Sequence, residues 1–178
     1  MATLQRPAWA AVTSGKRPII GHMAQPLVVT ESRAVPVGVE DAFRTLPIPL
    51  ESIFYRWYGP IPPIKKVRDQ DGEWGTVGQT RTVVLVGGGS MREELTDVDP
   101  PNSFGYTLSD LKGPLAPLVS RVEGLWSFAP VGTGTQISWR WTIHPRSAIT
   151  APALPVFAKL WRGYARQTLE ALSGRLVG

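Results

Sequence analysis

The longest regular pattern of apolar residues in this sequence lies at its C-terminal end, over residues 153–176. Apolar side chains recur there at steps of three and four, the spacing of one face of an α-helix, and Thr168 is the only polar residue in the stripe. Pro155 fits only the first turn, where its missing N–H leaves no bond unmade. The pattern predicts a helix roughly 33 Å long, at about 1.5 Å per residue, with an apolar stripe formed by Ala153, Val156, Phe157, Leu160, Trp161, Tyr164, Ala165, Leu169, Leu172 and Leu176.

Short apolar runs separated by turn signals precede this helix. Asp71-Gly72, the run from Gly87 to Ser90 and the Gly-Thr-Gly at 132–134 are typical of the turns that join antiparallel strands. Two short helices are predicted after the first strand, over 39–46 and 50–57, with Pro47 and Pro49 between them. The seven predicted strands cover 27–37, 64–69, 79–86, 91–98, 104–109, 119–129 and 135–144.

This order of elements predicts an α+β fold, because hairpin-linked strands form one antiparallel sheet and the long helix must bury its stripe against that sheet. The last strand alternates cleanly, with Ile137, Trp139, Trp141 and Ile143 on one face. Aromatic residues on both the sheet and the helix leave two alternatives open. The interior is either packed solid or encloses a pocket.

The first strand has an ambiguous inner face. Glu31 and Arg33 share a face with Val35 and Val37, and a buried charge is costly unless it is well paired. We therefore expect a β-bulge or an open strand end in this region.

Composition narrows the chemistry. The 178-residue chain has no cysteine and two histidines, His22 and His144, so thiol chemistry, disulfides and all-histidine metal sites are excluded. No apolar run reaches the ~18 residues of a membrane span. The net charge is +5, and residues 1–26 carry three basic residues and no acid. The rest of the chain is therefore nearly balanced in charge, and a nucleic-acid-binding face is not indicated. We expect a tail over 1–26, one domain over 27–178, a cytoplasmic location, and no metal or cofactor.

The motifs at the joints of these elements resemble the START/Bet v 1-like superfamily, also called SRPBCC or polyketide cyclase/dehydratase-like proteins. The matching pieces stand in the family's order over about 27–176: SRAVPVGVEDAF at 32–43, VGQTRTV at 77–83, EELTDVDPP at 93–101 followed by Tyr106, FAP at 128–130 and GTQISW at 134–139. The resemblance implies a helix-grip fold, in which a seven-stranded curved antiparallel sheet wraps the long C-terminal helix around an apolar cavity. Members of the superfamily bind lipids, sterols, polyketides or plant hormones, and some catalyse reactions in the cavity.

Within such a fold, aromatic residues of the last strands and of the gripped helix are candidates for the cavity wall. Trp and Tyr combine a large apolar body with a polar group, which suits an amphipathic ligand. The candidate ligand-binding residues are Phe43, Trp57, Leu95, Tyr106, Trp126, Phe128, Trp139, Trp141, Phe157, Trp161 and Tyr164.

Two other features carry candidate roles. The run Gly87, Gly88, Gly89 and Ser90 lacks phosphate-loop spacing; it matches the position of a loop that gates the pocket in hormone-receptor relatives, with 110–118 as its companion. Glu93 and Glu94 are adjacent on a strand, so one points inward and the other outward. The inward carboxylate could serve as a general acid or base, although pairing with an arginine is the simpler interpretation. Arg81, Arg121 and Arg140 are expected on the outer face, and His144 at the surface.

Three functions follow as hypotheses. The first is a non-catalytic carrier of an apolar or amphipathic small molecule in an internal cavity of a few hundred cubic ångströms. The second is a cyclase- or dehydratase-like enzyme that uses Glu93 or Glu94. The third is a structural or interaction protein with a filled core, as a monomer or homodimer.

Overall fold

A computed structural model describes residues 24–178, so most of the expected N-terminal tail, with Met23 and His22, lies outside the described residues. Seven strands precede a long C-terminal helix, as predicted. In chain order the elements are β1 (Leu27–Val35), α1 (Val39–Phe43), a 3-10 turn (Leu50–Ser52), β2 (Ile64–Arg68), β3 (Thr80–Leu85), β4 (Ser90–Asp99), β5 (Ser103–Lys112), β6 (Val119–Val131), β7 (Gly134–Pro145), a second 3-10 turn (Ala151–Ala153) and α2 (Leu154–Val177).

The strands form one antiparallel sheet in the order β1-β7-β6-β5-β4-β3-β2. Strands β2 to β7 follow one another through hairpin connections, and β1 closes the order by pairing with the last strand, β7. The helix α2 packs across β1 and β7 on the inner face of the sheet. The predicted α+β helix-grip fold is confirmed.

The apolar stripe of α2 is buried as the three-and-four spacing predicts. Trp161, Tyr164, Ala165, Leu169 and Leu172 are all inaccessible or nearly so. One predicted member of the stripe differs: Val156 is exposed, whereas Leu154 in the same turn is buried.

No bulge interrupts β1, so the first of the two expected explanations, a β-bulge, is wrong. Its register with β7 is continuous from Leu27 opposite Ile143 to Val35 opposite Thr135. Glu31 faces inward and is partly buried, and its carboxylate lies 3.3 Å from the Nε of Arg166 on α2. Arg33 is exposed on the same face. The helix therefore supplies the cation that makes an inward carboxylate tolerable, and no change of register is needed.

The two short helices are shorter than predicted. The first ends at Phe43, and the second is only the 3-10 turn Leu50–Ser52. The carbonyl of Phe54 accepts a hydrogen bond from the N–H of Ile64 at 2.8 Å, where β2 begins. The chain thus leaves the helical path after the 3-10 turn, and the carbonyl of Phe54 pairs with β2.

A glycine on β6 makes room for one large side chain of the inner face. Gly124 lies opposite Tyr106 in the register of β5 and β6, and a Cβ on Gly124 would overlap the ring of Tyr106. Tyr106 is almost fully buried, and a side chain at position 124 would push its ring away from β6. Gly124 therefore fixes the position of Tyr106.

We expect Gly124→Ala to lower the free energy of unfolding by about 1–3 kcal/mol, the usual cost of overpacking a core. Gly105→Ala on the neighbouring strand is the matched control, because its Cβ would make ordinary contacts of 3.4 Å with Thr96 Oγ1 and 3.5 Å with the Cβ of Asp97. Urea denaturation of both variants measures the difference. Equal stabilities would contradict the assigned packing of Tyr106 on Gly124.

Candidate ligand cavity

A cavity of about 470 Å³ lies between the inner face of the sheet, α2 and the loops at one end of the fold. Its volume falls within the range of roughly 300–1,000 Å³ typical of small-molecule sites. The cavity of a few hundred cubic ångströms predicted from the sequence is therefore present.

The wall is mostly apolar. Aliphatic residues contribute from β3, β5 and the loops that follow α1 and β5, and aromatic residues contribute from β5, β6, β7 and α2. The polar groups among the lining residues belong to Thr45, Glu93, Tyr106, Lys112 and Tyr164, together with the indole N–H groups of the tryptophans. The hydroxyl of Thr45 already donates to the carbonyl of Ala42 at 2.8 Å.

Most of the candidate ligand-binding residues lie in this wall. They come from the strands and loops of the inner face as well as from α2, and Trp57 stands at the mouth with its side chain half exposed. The candidates placed in the wall are Trp57, Tyr106, Trp126, Trp139, Trp141, Phe157, Trp161 and Tyr164.

Three candidates are not in the wall: Phe43, Leu95 and Phe128. The ring of Phe43 meets those of Phe104 and Phe128 edge to face, at 6.2 Å and 5.6 Å between centroids. Phe104 belongs to the wall and separates this cluster from the cavity, while Leu95 is fully buried in the core. These three residues face inward as predicted, but they pack in the core beside the cavity and do not line it.

The loop between the first 3-10 turn and β2 forms one side of the mouth through Trp57, Pro60, Ile61 and Pro62. Reciprocal backbone hydrogen bonds between Tyr58 and Ile61, of 3.1 and 3.0 Å, tighten this loop. The ring of Tyr58 occupies the space where Gly163 of α2 lacks a side chain. The loop is thereby anchored to the helix that it faces.

The two candidate lid loops meet at the cavity. Gly87 and Gly89 line it from the β3–β4 turn, whereas Gly88 and Ser90 do not, and Pro114 and Leu115 line it from the β5–β6 loop. A Cβ on Gly113 would lie 3.0 Å from the Cα of Gly89, so the two backbones approach closely. β5 extends to Lys112, three residues beyond its predicted end. A gating role for these loops stays a prediction.

Trp139 is the centre of the aromatic cluster in the wall. Its indole stacks on Trp126, with centroids 4.9 Å apart and planes 10° apart, and it contacts Trp161 of α2 at 4.9 Å. Trp141 meets Trp161 at 5.3 Å. Phe54 and Tyr164 pack against the same indole of Trp139. The cluster joins the sheet to the helix along the inner side of the cavity.

Tyr106 is held by two of these tryptophans. Its hydroxyl oxygen accepts hydrogen bonds from the Nε1–H groups of Trp139 and Trp141, both at 2.8 Å. Burial, and then the nearby negative charge of Glu93, raise the pKa of the Tyr106 hydroxyl far above its usual value. Burial likewise raises the pKa of Tyr164. Both phenols are therefore neutral donors over the physiological pH range.

Glu93 points inward and Glu94 outward. Glu93 lies in the cavity wall with its side chain about 6% exposed, and its Oε2 accepts a hydrogen bond from the Nε–H of Arg81 at 2.6 Å. Glu94 is exposed and lies 3.4 Å from Arg92. The inward carboxylate is thus paired with an arginine, and a catalytic role for Glu93 or Glu94 remains a prediction.

The prediction that Arg81 lies on the outer face is wrong. It is buried beside Glu93, and its guanidinium lies 3.9 Å from the ring centroid of Trp74. The strand register places Arg81 directly opposite Glu93, and a cross-strand pair of opposite charges was the sequence signal that could have identified it. Arg121 and Arg140 are exposed as expected, and His144 is partly buried, 3.1 Å from Glu123.

Sequence reasoning also missed several aliphatic residues of the wall, including Leu46, Ile53, Leu108 and Leu111. Leu108 shares the inward parity of Tyr106 on β5, but that parity does not separate cavity wall from filled core. Leu46 and Ile53 lie outside the strands, and Leu111 follows the positive-φ residue Asp110, so alternation does not identify them. Within residues 24–178, no three His, Cys, Asp or Glu side chains are grouped to hold a metal ion. Among the helices of that range, none is long and apolar enough to cross a bilayer.

The sequence model of one protein family, described as "Polyketide cyclase / dehydrase and lipid transport", matches residues 26–177. No curated protein matches this chain by sequence.

Several solved structures share the fold at low sequence identity. The major latex-like protein 151 of Panax ginseng aligns with a TM-score of 0.63 and 10% identity, over 85% of this chain and 97% of its own. The protein MLL2253 of Mesorhizobium loti aligns with a TM-score of 0.61 and 19% identity, over 85% and 96%. The protein TTHA0849 of Thermus thermophilus aligns with a TM-score of 0.59 and 22% identity, over 85% and 97%. At these identities the likeness concerns the fold alone.

We expect Arg81→Met to destabilise the protein by roughly 3–5 kcal/mol, because it leaves the Glu93 carboxylate buried without a partner. The double variant Arg81→Met/Glu93→Leu should recover most of this loss, since two apolar side chains can replace a buried ion pair at little cost. Chemical denaturation of both single variants and the double variant gives the coupling energy. Additive losses would contradict the pairing.

Proposed function

Because this chain belongs to the polyketide cyclase/dehydrase and lipid transport family, we propose that it binds and carries an apolar or amphipathic small molecule in the cavity between the sheet and α2. The observation that supports this function best is an apolar cavity of about 470 Å³ that is bounded by residues of the buried core. A void of this size forfeits packing energy in a protein without a ligand. A bound apolar molecule would restore those contacts.

The nature of the wall supports a carrier more directly than an enzyme. Stacked indole rings offer large, rigid surfaces for an apolar ligand. The carboxylate in the wall already has a partner, because its Oε2 accepts a hydrogen bond from the Nε–H of Arg81. A cytoplasmic location, and a monomeric or homodimeric state, are parts of this proposal that come from the sequence.

We expect the amphipathic dye 1-anilinonaphthalene-8-sulfonate to bind the protein through its aromatic rings, with one-to-one stoichiometry and enhanced fluorescence. Leu108→Trp should weaken this binding at least tenfold, because Leu108 lines the cavity and a larger side chain would occupy part of the ligand's volume. Thr107→Trp is the matched control, since Thr107 lies between Glu94 and Glu123 on the outer face. Equal dye affinity in both variants, with unchanged melting temperatures, would place the bound dye outside the cavity.

A second function, a cyclase- or dehydratase-like enzyme, is favoured by one arrangement. Glu93 and the hydroxyl of Tyr106 line the same cavity, so an acid-base group and a hydrogen-bond donor could face one substrate. The family description includes such enzymes, and that is the reason for carrying this alternative.

Glu93→Gln separates the two functions. An enzyme should lose about a hundredfold or more in turnover of a poly-β-ketone analogue when its acid-base group is removed, while the dye still binds. A carrier should show no turnover above the uncatalysed rate in either form. Glu93 is ruled out as the acid-base group if wild type and Glu93→Gln form product at the same rate and that rate is above the background.

A further inference from the structure

The hydroxyl of Tyr106 has one hydrogen-bonding group without a partner among the described residues, its O–H donor. A hydroxyl offers one O–H donor and two acceptor lone pairs. Both acceptor positions are taken by Trp139 and Trp141, whose Nε1 atoms lie 2.8 Å from the oxygen. The O–H hydrogen has no acceptor among the described residues. Tyr106 is about 6% exposed and forms part of the cavity wall.

A buried donor without an acceptor is costly, by about 1–3 kcal/mol for a neutral group. In an apolar cavity the missing acceptor must come from whatever fills it. A ligand hydroxyl fits Tyr106 less well, because the Tyr106 oxygen, whose lone pairs are both occupied, cannot accept its hydrogen, which then needs a second acceptor elsewhere. A carbonyl oxygen, which only accepts, fits without conflict.

The surrounding aromatic cluster strengthens this preference. The indole N–H of Trp161 is also buried and lacks a hydrogen-bond partner among the described residues, so it adds a second donor to the cluster and no acceptor. Two N–H donors on the phenol oxygen polarise its O–H bond, because chained hydrogen bonds reinforce one another. Tyr106 is therefore a stronger donor than an isolated tyrosine.

The apolar surroundings of Tyr106 favour a neutral partner. The Glu93 carboxylate lies in the same wall, and its negative charge opposes ionisation of the Tyr106 hydroxyl. A ligand carboxylate beside Tyr106 would lose its hydration in an apolar site, and Arg81, which is already paired with Glu93, does not line the cavity. Lys112 is an exposed cation at the mouth, away from the tryptophan cluster.

We propose that Tyr106 recognises the ligand through a hydrogen bond to an uncharged carbonyl oxygen, so that the cavity takes apolar ring ketones or quinones in preference to their alcohol or carboxylate counterparts. The flat indole surfaces of Trp126 and Trp139 would stack on the rings of such a ligand. This inference rests on the proposed carrier function and specifies the chemistry of its ligand.

Four compounds that share one ring skeleton test it: fluorene, 9-fluorenone, 9-fluorenol and fluorene-9-carboxylate. Their dissociation constants come from tryptophan-fluorescence titrations of the wild type, Tyr106→Phe and the control Tyr55→Phe, since Tyr55 is exposed and does not line the cavity. We expect Tyr106→Phe to weaken fluorenone binding about tenfold, the worth of one buried hydrogen bond, and fluorene binding less than twofold. Tyr55→Phe should change neither.

A second variant tests the reason for the preference without removing the tyrosine. Trp141→Phe frees one lone pair of Tyr106, so the hydroxyl can then accept from a ligand alcohol. The wild type should favour fluorenone over fluorenol, and Trp141→Phe should narrow that ratio several-fold. The infrared carbonyl stretch of bound fluorenone should shift to lower frequency in the wild type and return towards its value in hydrocarbon solvent in Tyr106→Phe.

The outcomes separate this inference from the function on which it rests. If fluorene binds but Tyr106→Phe leaves the ratio of fluorenone to fluorene affinity unchanged, the carbonyl assignment is wrong and the carrier function stands. The same holds if the carboxylate binds more tightly than the ketone. If neither these compounds nor the naphthalene dye binds the wild type, both proposals fail.

Discussion

The packing of Trp139 between the sheet and the terminal helix is the interaction on which the rest of this structure depends. Its indole stacks on Trp126 within the sheet and meets Trp161 of α2, with both centroid distances at 4.9 Å. Rigid rings of this size cannot fill space as flexible aliphatic chains do. They therefore set a fixed separation between the helix and the curved sheet. Next to the cluster, the gap between the sheet and α2 is the cavity.

The same aromatic cluster also fixes the position of the tyrosine hydroxyl in the cavity wall. The indole N–H groups of Trp139 and Trp141 must find acceptors once they are buried, and both find the Tyr106 oxygen. Tyr106 can reach them because Gly124 leaves room for its ring. On the neighbouring strand, Arg81 neutralises the inward carboxylate of Glu93 and stacks on Trp74. The site thus combines an apolar wall with a small number of fixed polar groups, the arrangement that orients a ligand in most small-molecule pockets.

Local periodicity was enough to predict the long helix and all seven strands, because each buries one face and so repeats its apolar residues at the period of its backbone. The predictions failed where a distant partner decided the outcome. The second predicted helix is only a 3-10 turn over Leu50–Ser52, and the carbonyl of Phe54 pairs with the start of β2. A carboxylate at Glu31 is tolerated through Arg166, and the guanidinium of Arg81 is buried by Glu93. The cavity wall was predicted only in part, because alternation identifies inward residues such as Phe43 and Phe128 without showing that Phe104 lies between them and the cavity.

The central claim is that the cavity holds an apolar small molecule, and native mass spectrometry of the protein purified from cells tests it most directly. The account predicts a mass above that of the polypeptide, which disappears under denaturing conditions and releases a compound of low polarity. Protein that was stripped and then incubated with 9-fluorenone should regain a one-to-one complex. A polypeptide mass alone, both as purified and after incubation with fluorenone and with the naphthalene dye, would contradict the account.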